Sequence, residues 1–449
     1  MPKLVGSTLT GLQVAVPTSY RLNYVNLTNH NGDTTDIQAL VTDFSIAESI
    51  YLPSLILTVN VKDNVNFLEE FQLSGQEQIS IGISRAKEFG TDEEVTLDLD
   101  FYVTEYPTYG KFNNHTQVYA IKGISEHAYR SKFNKISRAF SGNAKDLIYS
   151  ILTQDLNYSD EWIDVSGKDM LNASLIVPNL APIDAIAWIL RRCYDQTGSP
   201  WYCYETMKEG IAIYPQSELV AGDIFRTFEE GKFFKFDIFS VEDYRERQRR
   251  ILSMASDMRM SKYIGGAKGA YGSRSVYVDI AKKTIGSHRF NYNDDYDEMV
   301  WLNDKSSNLD EDFGFDQKSI ATMHDAQINY IPTNSMAFER SKNYHSGTAD
   351  GRINRAQSYL ENLDNLTHEI KVAGDFGLSA GKVVELLIPK AIDPTVDIQN
   401  AKKTIISQIY DDVISGKYLI ASVVHNFGEE YFCDIKIKKD SLSKGAKYY

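Results

Sequence analysis

Residues 431–438 read YFCDIKIK, so that apolar and polar side chains alternate along the chain. This period of two predicts a β-strand with one face on a core and the other towards water or a partner. Two further runs precede it, since residues 417–425 read KYLIASVVH and residues 382–388 read KVVELLI. β-branched and aromatic residues dominate these runs, as is typical of strands. With the lead-in His368–Phe376, the stretch 368–441 predicts four short strands.

A similar pattern lies near the start of the chain. Three strand-like runs are found there, at residues 79–83, 95–103 and 118–124. The sequence LSG at 73–75 precedes the first of them, as LSAG at 378–381 precedes the run at 382–388. The two patterns predict a weak internal duplication, in which one small antiparallel β unit is early and one is late. Two unrelated β units that imitate each other remain the alternative.

The correspondence between the two β units extends to particular residues. Phe101–Val103 in the early unit aligns with Tyr418–Ile420 in the late unit. The late unit then carries the longer loop, between Pro389 and Gly416. Strands 44–46 and 55–61 complete the early unit, and many short strands joined by polar turns favour a sandwich or a partly closed barrel.

Length and charge restrict the class of protein. The chain has 449 residues, which at about 150 residues per domain predicts about three domains. The formal net charge of −14 argues against a protein whose main task is to grip nucleic acid, although nucleic acid could still slide past such a surface. No apolar run approaches the roughly 18 residues of a membrane span, and residues 1–7 lack the layout of an export signal. Three cysteines without a CxxC pair do not predict a disulfide scaffold.

The middle of the chain changes to a helical period. Asn143 and Asp146 form a capping-box-like helix start, and Pro182 is well placed for the first turn of a second helix that stops before Gly198. Residues 201–214 predict a β-hairpin, and apolar positions in Arg352–Asp364 predict a further helix. These elements indicate a mixed α/β unit. Glycine-rich residues 265–272 predict a flexible loop or a long hairpin tip.

One motif could carry catalysis. Gly377–Gly381 matches G-x-S-x-G around Ser379, and Asp411 and His425 follow in the order of an esterase triad. A nucleophile elbow needs a strand before the serine and a helix after it, whereas here a strand pattern follows. A plain β-turn is therefore the favoured interpretation. A serine or carboxylate hydrolase of cell-wall material or polysaccharide remains the alternative.

Phosphate and metal sites are not indicated either. Gly381-Lys382 lacks the other residues of a Walker A motif, and residues 265–272 lack the strand and helix that a phosphate loop needs. The acidic runs 293–298 and 310–312 lack the glycine of an EF-hand loop, and the eight histidines form no HxxxH pair. We therefore assign no catalytic, cofactor-binding or metal-binding residue.

The most basic segment is too mixed to predict a nucleic-acid site. Its arginines are interspersed with acidic residues, which favours an ion-paired face over a partner-binding patch. The arginines are Arg245, Arg247, Arg249 and Arg250, and the acidic residues are Glu242, Asp243 and Glu246.

Three features together resemble the central baseplate hub protein of contractile-tailed bacteriophages, the T-even type of tail hub. The first is the late run 378–386 with 415–425 and its ending at Lys439–Ser441. The second is the helix 181–190 followed by the hairpin after Gly198. The third is the order of a β unit, a mixed unit and a β unit.

The resemblance implies a fold class of α+β, mainly β. It implies two related antiparallel, tube-like β-barrel domains with a mixed α/β domain inserted between and around the second. The expected limits are 1–130 for the first barrel, 131–235 and 285–365 for the mixed domain, 236–284 and 366–441 for the second barrel, and 442–449 for a C-terminal tail. The acidic region 291–348 has no counterpart that we can place.

The resemblance also implies partners and a location. It implies a homotrimer in the tail baseplate of the virion, assembled in the host cytoplasm, whose six β units form a pseudo-six-fold ring. The ring would join the hexameric tail tube, or tube-initiator proteins, to a trimeric central spike, and it would contact baseplate wedge proteins. Phage DNA would pass through the lumen without specific binding. The resemblance implies no catalysis, no cofactor and no membrane anchor. A carbohydrate-binding β-sandwich protein that uses its tyrosines and tryptophans is the second alternative.

Overall fold

The computed structural model describes most of the chain. The described residues are 17–71, 73–85, 95–113, 115–170, 172–230, 247–258, 262–280, 283–303, 319–333, 351–389, 410–411 and 413–441. Arg245, the acidic run 310–312, the loop predicted between Pro389 and Gly416 for residues 390–409, and the tail 442–449 lie outside them.

Eight strands form the N-terminal β unit. Each predicted strand of this unit is present, and the alternating burial along the strands agrees with the alternating sequence. The strands are β1 (Arg21–Thr28), β2 (Thr34–Asp36), β3 (Val41–Ser49), β4 (Ile56–Asp63), β5 (Gln78–Arg85), β6 (Val95–Glu105), β7 (Tyr109–Asn113) and β8 (Thr116–Ser125).

The mixed middle region runs from α2 to α5, and one short helix, α1, lies earlier, between β4 and β5. Asn143 caps the first long helix, as its side chain accepts a hydrogen bond from the Lys145 N–H, and Pro182 opens the second. The elements are β9 (Ala139–Asn143), β10 (Ile163–Val165), β11 (Asn172–Ile176), β12 (Trp201–Thr206), β13 (Gly210–Pro215), α1 (Phe67–Glu70), α2 (Glu126–Lys132), α3 (Ala144–Ser150), α4 (Pro182–Leu190) and α5 (Gln216–Leu219). The predicted hairpin is the antiparallel pair β12–β13.

The rest of the chain supplies a further set of strands and helices. The strands β14, β15 and β19–β22 make up the C-terminal β unit. The elements are β14 (Ile224–Glu229), β15 (Ser253–Met258), β16 (Gly272–Asp279), β17 (Thr284–Asn291), β18 (Ile328–Thr333), β19 (Leu366–Ala373), β20 (Val383–Leu387), β21 (Gly416–Phe427), β22 (Tyr431–Lys439), α6 (Lys262–Ala267), α7 (Tyr292–Asp295) and α8 (Arg352–Leu363).

The two β units belong to one 14-stranded sheet. Its main path runs β15-β19-β22-β21-β3-β4-β8-β6-β5-β1-β2, with β14, β20 and β7 attached beside it. Smaller sheets are formed by β10-β13-β12, by β11-β9 and by β17-β16-β18. The predicted class, α+β and mainly β, is confirmed. No helix within the described ranges is long and apolar enough to cross a membrane.

Two details of the sequence-based prediction are wrong. Residues 265–267 were expected in a loop or hairpin tip, but they form the last turn of α6, and Gly272 begins β16. Only Gly269 between them takes a left-handed backbone conformation, with φ of +81°. The second helix stops before Gly198, as predicted, but it already ends at Leu190, whereas its apolar spacing was also expected to include Tyr194.

The two β units share a strand order and a local irregularity. The order β3-β4-β8-β6-β5 in the first corresponds to β15-β19-β22-β21-β20 in the second. A β-bulge lies between Val103 and Glu105 of β6, and another lies between Ile420 and Ser422 of β21. The alignment of Val103 with Ile420 was expected from sequence alone. One difference is that β1 runs antiparallel to β5, whereas β14 runs parallel to β20.

The turns before β5 and β20 also agree. Gly75 and Gly381 both adopt a positive φ, of +85° and +86°. The Val103 N–H donates to the Glu77 carbonyl, and the Ile420 N–H donates to the Lys382 carbonyl. Since only glycine readily adopts this conformation, the glycine of each LSG-like motif is explained by the backbone.

Candidate functional site

The two β units are joined along one line, which we call the seam. There β3 pairs antiparallel with β21, from Ser49 opposite Ser422 to Phe44 opposite Phe427. The rings of Phe44 and Phe427 stack with centroids 4.6 Å apart. A single hydrophobic cluster contains core residues of both units. The seam is therefore a packed junction within one chain.

Glu48 lies at the seam, buried with an exposed fraction of 2%. Its carboxylate accepts hydrogen bonds from the Met207 N–H at 2.6 Å and from the Ala380 N–H at 3.0 Å. Nε2 of the wholly buried His425 lies 3.5 Å from Glu48 Oε1. One side chain of β3 therefore contacts the hairpin β12–β13, the turn before β20 and strand β21.

His425 is held on its other side by two residues of β22. Its Nδ1 lies 2.7 Å from the Tyr431 hydroxyl and 3.3 Å from the Cys433 sulfur. Burial disfavours the charged imidazole, but Cys433 and the Glu48 carboxylate outweigh burial and raise the pKa of His425 to about 10. His425 Nε2 nevertheless makes no hydrogen bond among the described residues, so that Glu48 acts on it across the 3.5 Å contact.

A second buried cluster of charges links the two units away from Glu48. The Asp375 carboxylate contacts Arg85 at the end of β5 and Arg226 of β14, and it accepts a hydrogen bond from the Gly377 N–H. Arg85 also donates to the Pro17 carbonyl. Burial opposes ionisation of Asp375, but the two arginines outweigh it and hold the pKa of the carboxyl below its usual range.

The mixed region is attached to the N-terminal β unit through Glu205 of β12. Its buried carboxylate accepts hydrogen bonds from the Leu55 N–H at 2.9 Å and from the Ser125 hydroxyl. His127 lies 3.7 Å from the same carboxylate oxygen, and Tyr158 donates to the other. In each of these links, a buried acid joins elements that are distant in sequence.

The residues of the G-x-S-x-G motif do not form a triad with His425 and Asp411. Ser379 is 2% exposed, and strand β20, not a helix, follows its turn. His425 Nδ1 is occupied by Tyr431 and Cys433, and Asp411 accepts hydrogen bonds from the N–H groups two and three residues after it. The motif is a turn whose Ala380 N–H binds Glu48.

The other candidate residues have structural partners. Asp295 and Glu298, from the acidic run 293–298, both contact Arg355 of α8. Within the described ranges, no three acidic, cysteine or histidine side chains are arranged to hold a metal ion. Of the basic segment, Arg250 forms an isolated parallel β-bridge through its backbone with Glu229.

A cleft of about 620 Å³ lies between α4, β12 and α8. Apolar groups provide most of its surface, including Ile186, Leu190 and Leu360. Trp201 lines it, and its indole N–H is buried without a hydrogen-bond partner among the described residues. Ligand sites combine such walls with several converging polar groups, which a glycan would need. Polar side chains also line this cleft, among them Arg191, Gln357 and Glu361, so that the carbohydrate-binding alternative stays open.

Comparison with solved structures identifies proteins of similar fold. The chain is similar to the prophage MuSo2 43 kDa tail protein from Shewanella oneidensis, with 11% identity, a TM-score of 0.51, and coverage of 95% of this chain and 100% of that chain. A tail protein from Neisseria meningitidis MC58 gives 8% identity, a TM-score of 0.49, and coverage of 94% and 98%. No family model matches the sequence, and no curated protein matches it.

A component of the type VI secretion system, the E. coli c3393 protein, is a further structural neighbour. It shares 8% identity with this chain at a TM-score of 0.43, and the match covers 96% of this chain and 78% of that one. Two of these three neighbours are tail proteins, and the third is a secretion-system component. The MuSo2 protein, which has the highest of these TM-scores, establishes that this chain has a fold also found in a phage tail protein.

Proposed function

We propose that this chain is the baseplate hub of a contractile phage tail, a homotrimer that joins the tail tube to a trimeric spike. The seam is the observation that carries this proposal. One chain presents two β units that match in strand order, bulge and turn, and it already joins them side by side. Three such chains supply six similar units, as a ring that mates with a hexameric tube requires.

The proposal gives each part of the chain a task. The two β units, with the expected barrel domains 1–130 and 236–284 with 366–441, form the ring. The mixed domain, 131–235 with 285–365, forms a cup around the spike, and wedge proteins bind outside. These limits stay a prediction. In the structure β15 joins the large sheet, but so does β14, which lies within 131–235, and β16 pairs with β17 and β18.

An exposed apolar surface suits the spike. The sheet β17-β16-β18 carries Ile285 and Tyr330, which are 75% and 70% exposed, and Ile280, which follows β16, is 72% exposed. Large apolar side chains grouped on a small sheet are typical of protein-binding surfaces. We assign this sheet to the contact with the spike.

The net charge of −14 suits a channel for DNA. Like charges repel, so an acidic lumen keeps a passing phosphate backbone from binding. This part of the proposal fails if the lumen of the assembled ring is lined mainly by Lys and Arg.

Negative-stain images of the purified chain, alone and with its spike, test the hub proposal. We expect a three-fold ring of about 153 kDa, three times 50.9 kDa, with six similar lobes around a hole. Compact monomers in both samples would contradict the proposal and return attention to the hydrolase and glycan-binding alternatives.

Replacing Ser379 by alanine separates the hub from the hydrolase. Because Ser379 lies in a buried turn, we expect ring formation to be unchanged and the free energy of unfolding to fall by less than about 1 kcal/mol. The measurements are the particle images above and a urea titration. If the native chain degrades cell-wall material and the S379A variant does not, the hydrolase is correct.

A further inference from the structure

The seam provides a template for a second junction between copies of the chain. Within one chain, β3 is the edge strand of the N-terminal unit, and it pairs with the second half of β21. If the two units are equivalent, the corresponding edge strand of the C-terminal unit should pair in the same way with the N-terminal unit of another chain. Aligning the paired residues of the two units identifies the two strands that would form this second junction.

The counterpart of β3 is β15. In the N-terminal unit, Phe44 pairs with Val59, which pairs with Ile121 of β8. In the C-terminal unit, Met254 pairs with Ile370, which pairs with Ile435 of β22. Val59 and Ile370 thus hold the same position in their units, so Met254 corresponds to Phe44, Ala255 to Ser45 and Ser256 to Ile46.

The counterpart of the second half of β21 is β7. After the two bulges, Glu105 pairs with Lys122, and Ser422 pairs with Lys436. Three residues earlier on each partner strand, Tyr119 pairs with Tyr109, and Cys433 pairs with His425. Tyr109 therefore corresponds to His425, Gly110 to Asn426 and Lys111 to Phe427.

Both counterparts have an open edge at the residues proposed to pair, although just before β15 the Ile251 N–H donates to the Glu229 carbonyl of β14. Among the described residues, β15 pairs only with β19, and β7 pairs only with β8. The side chains along these edges are exposed, at 56% for Tyr109, 72% for Phe112 and 47% for Leu252, which precedes β15. Exposed edges with large apolar side chains invite pairing with another strand.

We propose that β15 of one copy pairs antiparallel with β7 of the next copy. This rests on the proposed hub function and names the contact that would build its ring. The register follows from the seam, with Tyr109 opposite Ser256, Gly110 opposite Ala255 and Lys111 opposite Met254.

One local difference limits the length of this junction. Four positions separate Glu105 from Tyr109 (109 − 105), whereas three separate Ser422 from His425 (425 − 422). The extra residue falls within 106–108, a stretch that includes Pro107, and proline has no backbone N–H to donate to a ladder. The ladder therefore begins at Tyr109 and extends towards Phe112.

Disulfide cross-linking tests the register. In the double variant G110C/A255C, one cysteine of each chain meets one cysteine of the next. A β-carbon at Gly110 meets only Val118 at 3.7 Å, and Ala255 is exposed, so both positions accept the change. The native cysteines, Cys193, Cys203 and Cys433, are buried and give little background. The readout is non-reducing electrophoresis after mild oxidation, alongside the mass of the untreated particle.

The matched control is G110C/D257C, which displaces the second cysteine by two residues on the same sheet face. The displacement of about 7 Å along the strand leaves the α-carbons too far apart for a disulfide. We expect covalent trimers in most of the G110C/A255C sample and at least tenfold fewer in the control. Trimeric particles without this difference would overturn the register and leave the hub intact. Monomeric particles would overturn both, and long covalent ladders would support the strand pairing but contradict the closed ring.

Discussion

Replacing Glu48 by alanine is expected to destabilise the chain by about 3–5 kcal/mol. The change leaves the Met207 and Ala380 N–H groups without their acceptor in a dry interior, and it removes the anion beside His425. An unsatisfied buried donor costs about 1–3 kcal/mol, and a buried charge without its partner costs more. The measurement is the midpoint of urea unfolding, followed by far-UV circular dichroism.

Glu369 provides the control for Glu48. It lies on β19, its side chain is 64% exposed, and it contacts Lys436 at 3.1 Å. Removing an exposed ion pair changes stability by about 0–1 kcal/mol, so E369A should unfold close to the native midpoint. E48Q keeps one acceptor oxygen and should fall between E48A and the native chain. Equal midpoints for E48A and E369A would show that the seam does not depend on Glu48.

Replacing Asp375 by alanine is expected to cost a similar amount, about 3–5 kcal/mol, at neutral pH. The two arginines that contact it, Arg85 and Arg226, would remain buried without their anion. Because these residues join the two β units, we also expect the variant to form fewer rings. D434A is the matched control, since Asp434 is exposed on β22 and accepts one hydrogen bond from Asn426.

The effect of Asp375 should depend on pH. Its pKa in the folded chain lies below that of an unfolded aspartate, so the unfolded chain binds more protons in the interval between the two values. The stabilisation is therefore complete above the unfolded pKa of about 3.9 and is lost as the pH falls through the folded value. Urea midpoints of the native chain and D375A should differ most above pH 5 and converge in acid. A difference that stays constant down to pH 3 would exclude this ionic contribution.

The sequence was sufficient for the strands whose apolar and polar residues alternate, such as β6 and β22, whereas β1, β2 and β7 were not predicted. It also aligned Phe101–Val103 with Tyr418–Ile420, and the bulges that follow lie at matching positions. The end of α4 and the helical state of Gly265 were missed because propensity and pattern are local, whereas tertiary contacts decide such boundaries. The closure of each β unit into a barrel stays a prediction.

The charged residues of the junction were missed for a different reason. The sequence contains 61 acidic residues, and nothing local separates a buried one from a solvated one. Glu48 did carry a signal, because it occupies a core position in the alternation of Phe44, Ile46 and Ile50. Asp375 carried none, since an aspartate two residues before a glycine is ordinary in a turn. Its partners are distant in sequence and are brought together only by the fold.

The seam also determines when the chain can finish folding. Its paired residues are separated by 373 positions at one end (422 − 49) and by 383 at the other (427 − 44). At about 5–20 residues per second, a ribosome needs about 20–75 s to make the intervening chain. During that time the edge of β3 has no partner from its own chain, which exposes it to aggregation with other nascent chains. The last strands to be synthesised therefore protect one of the first.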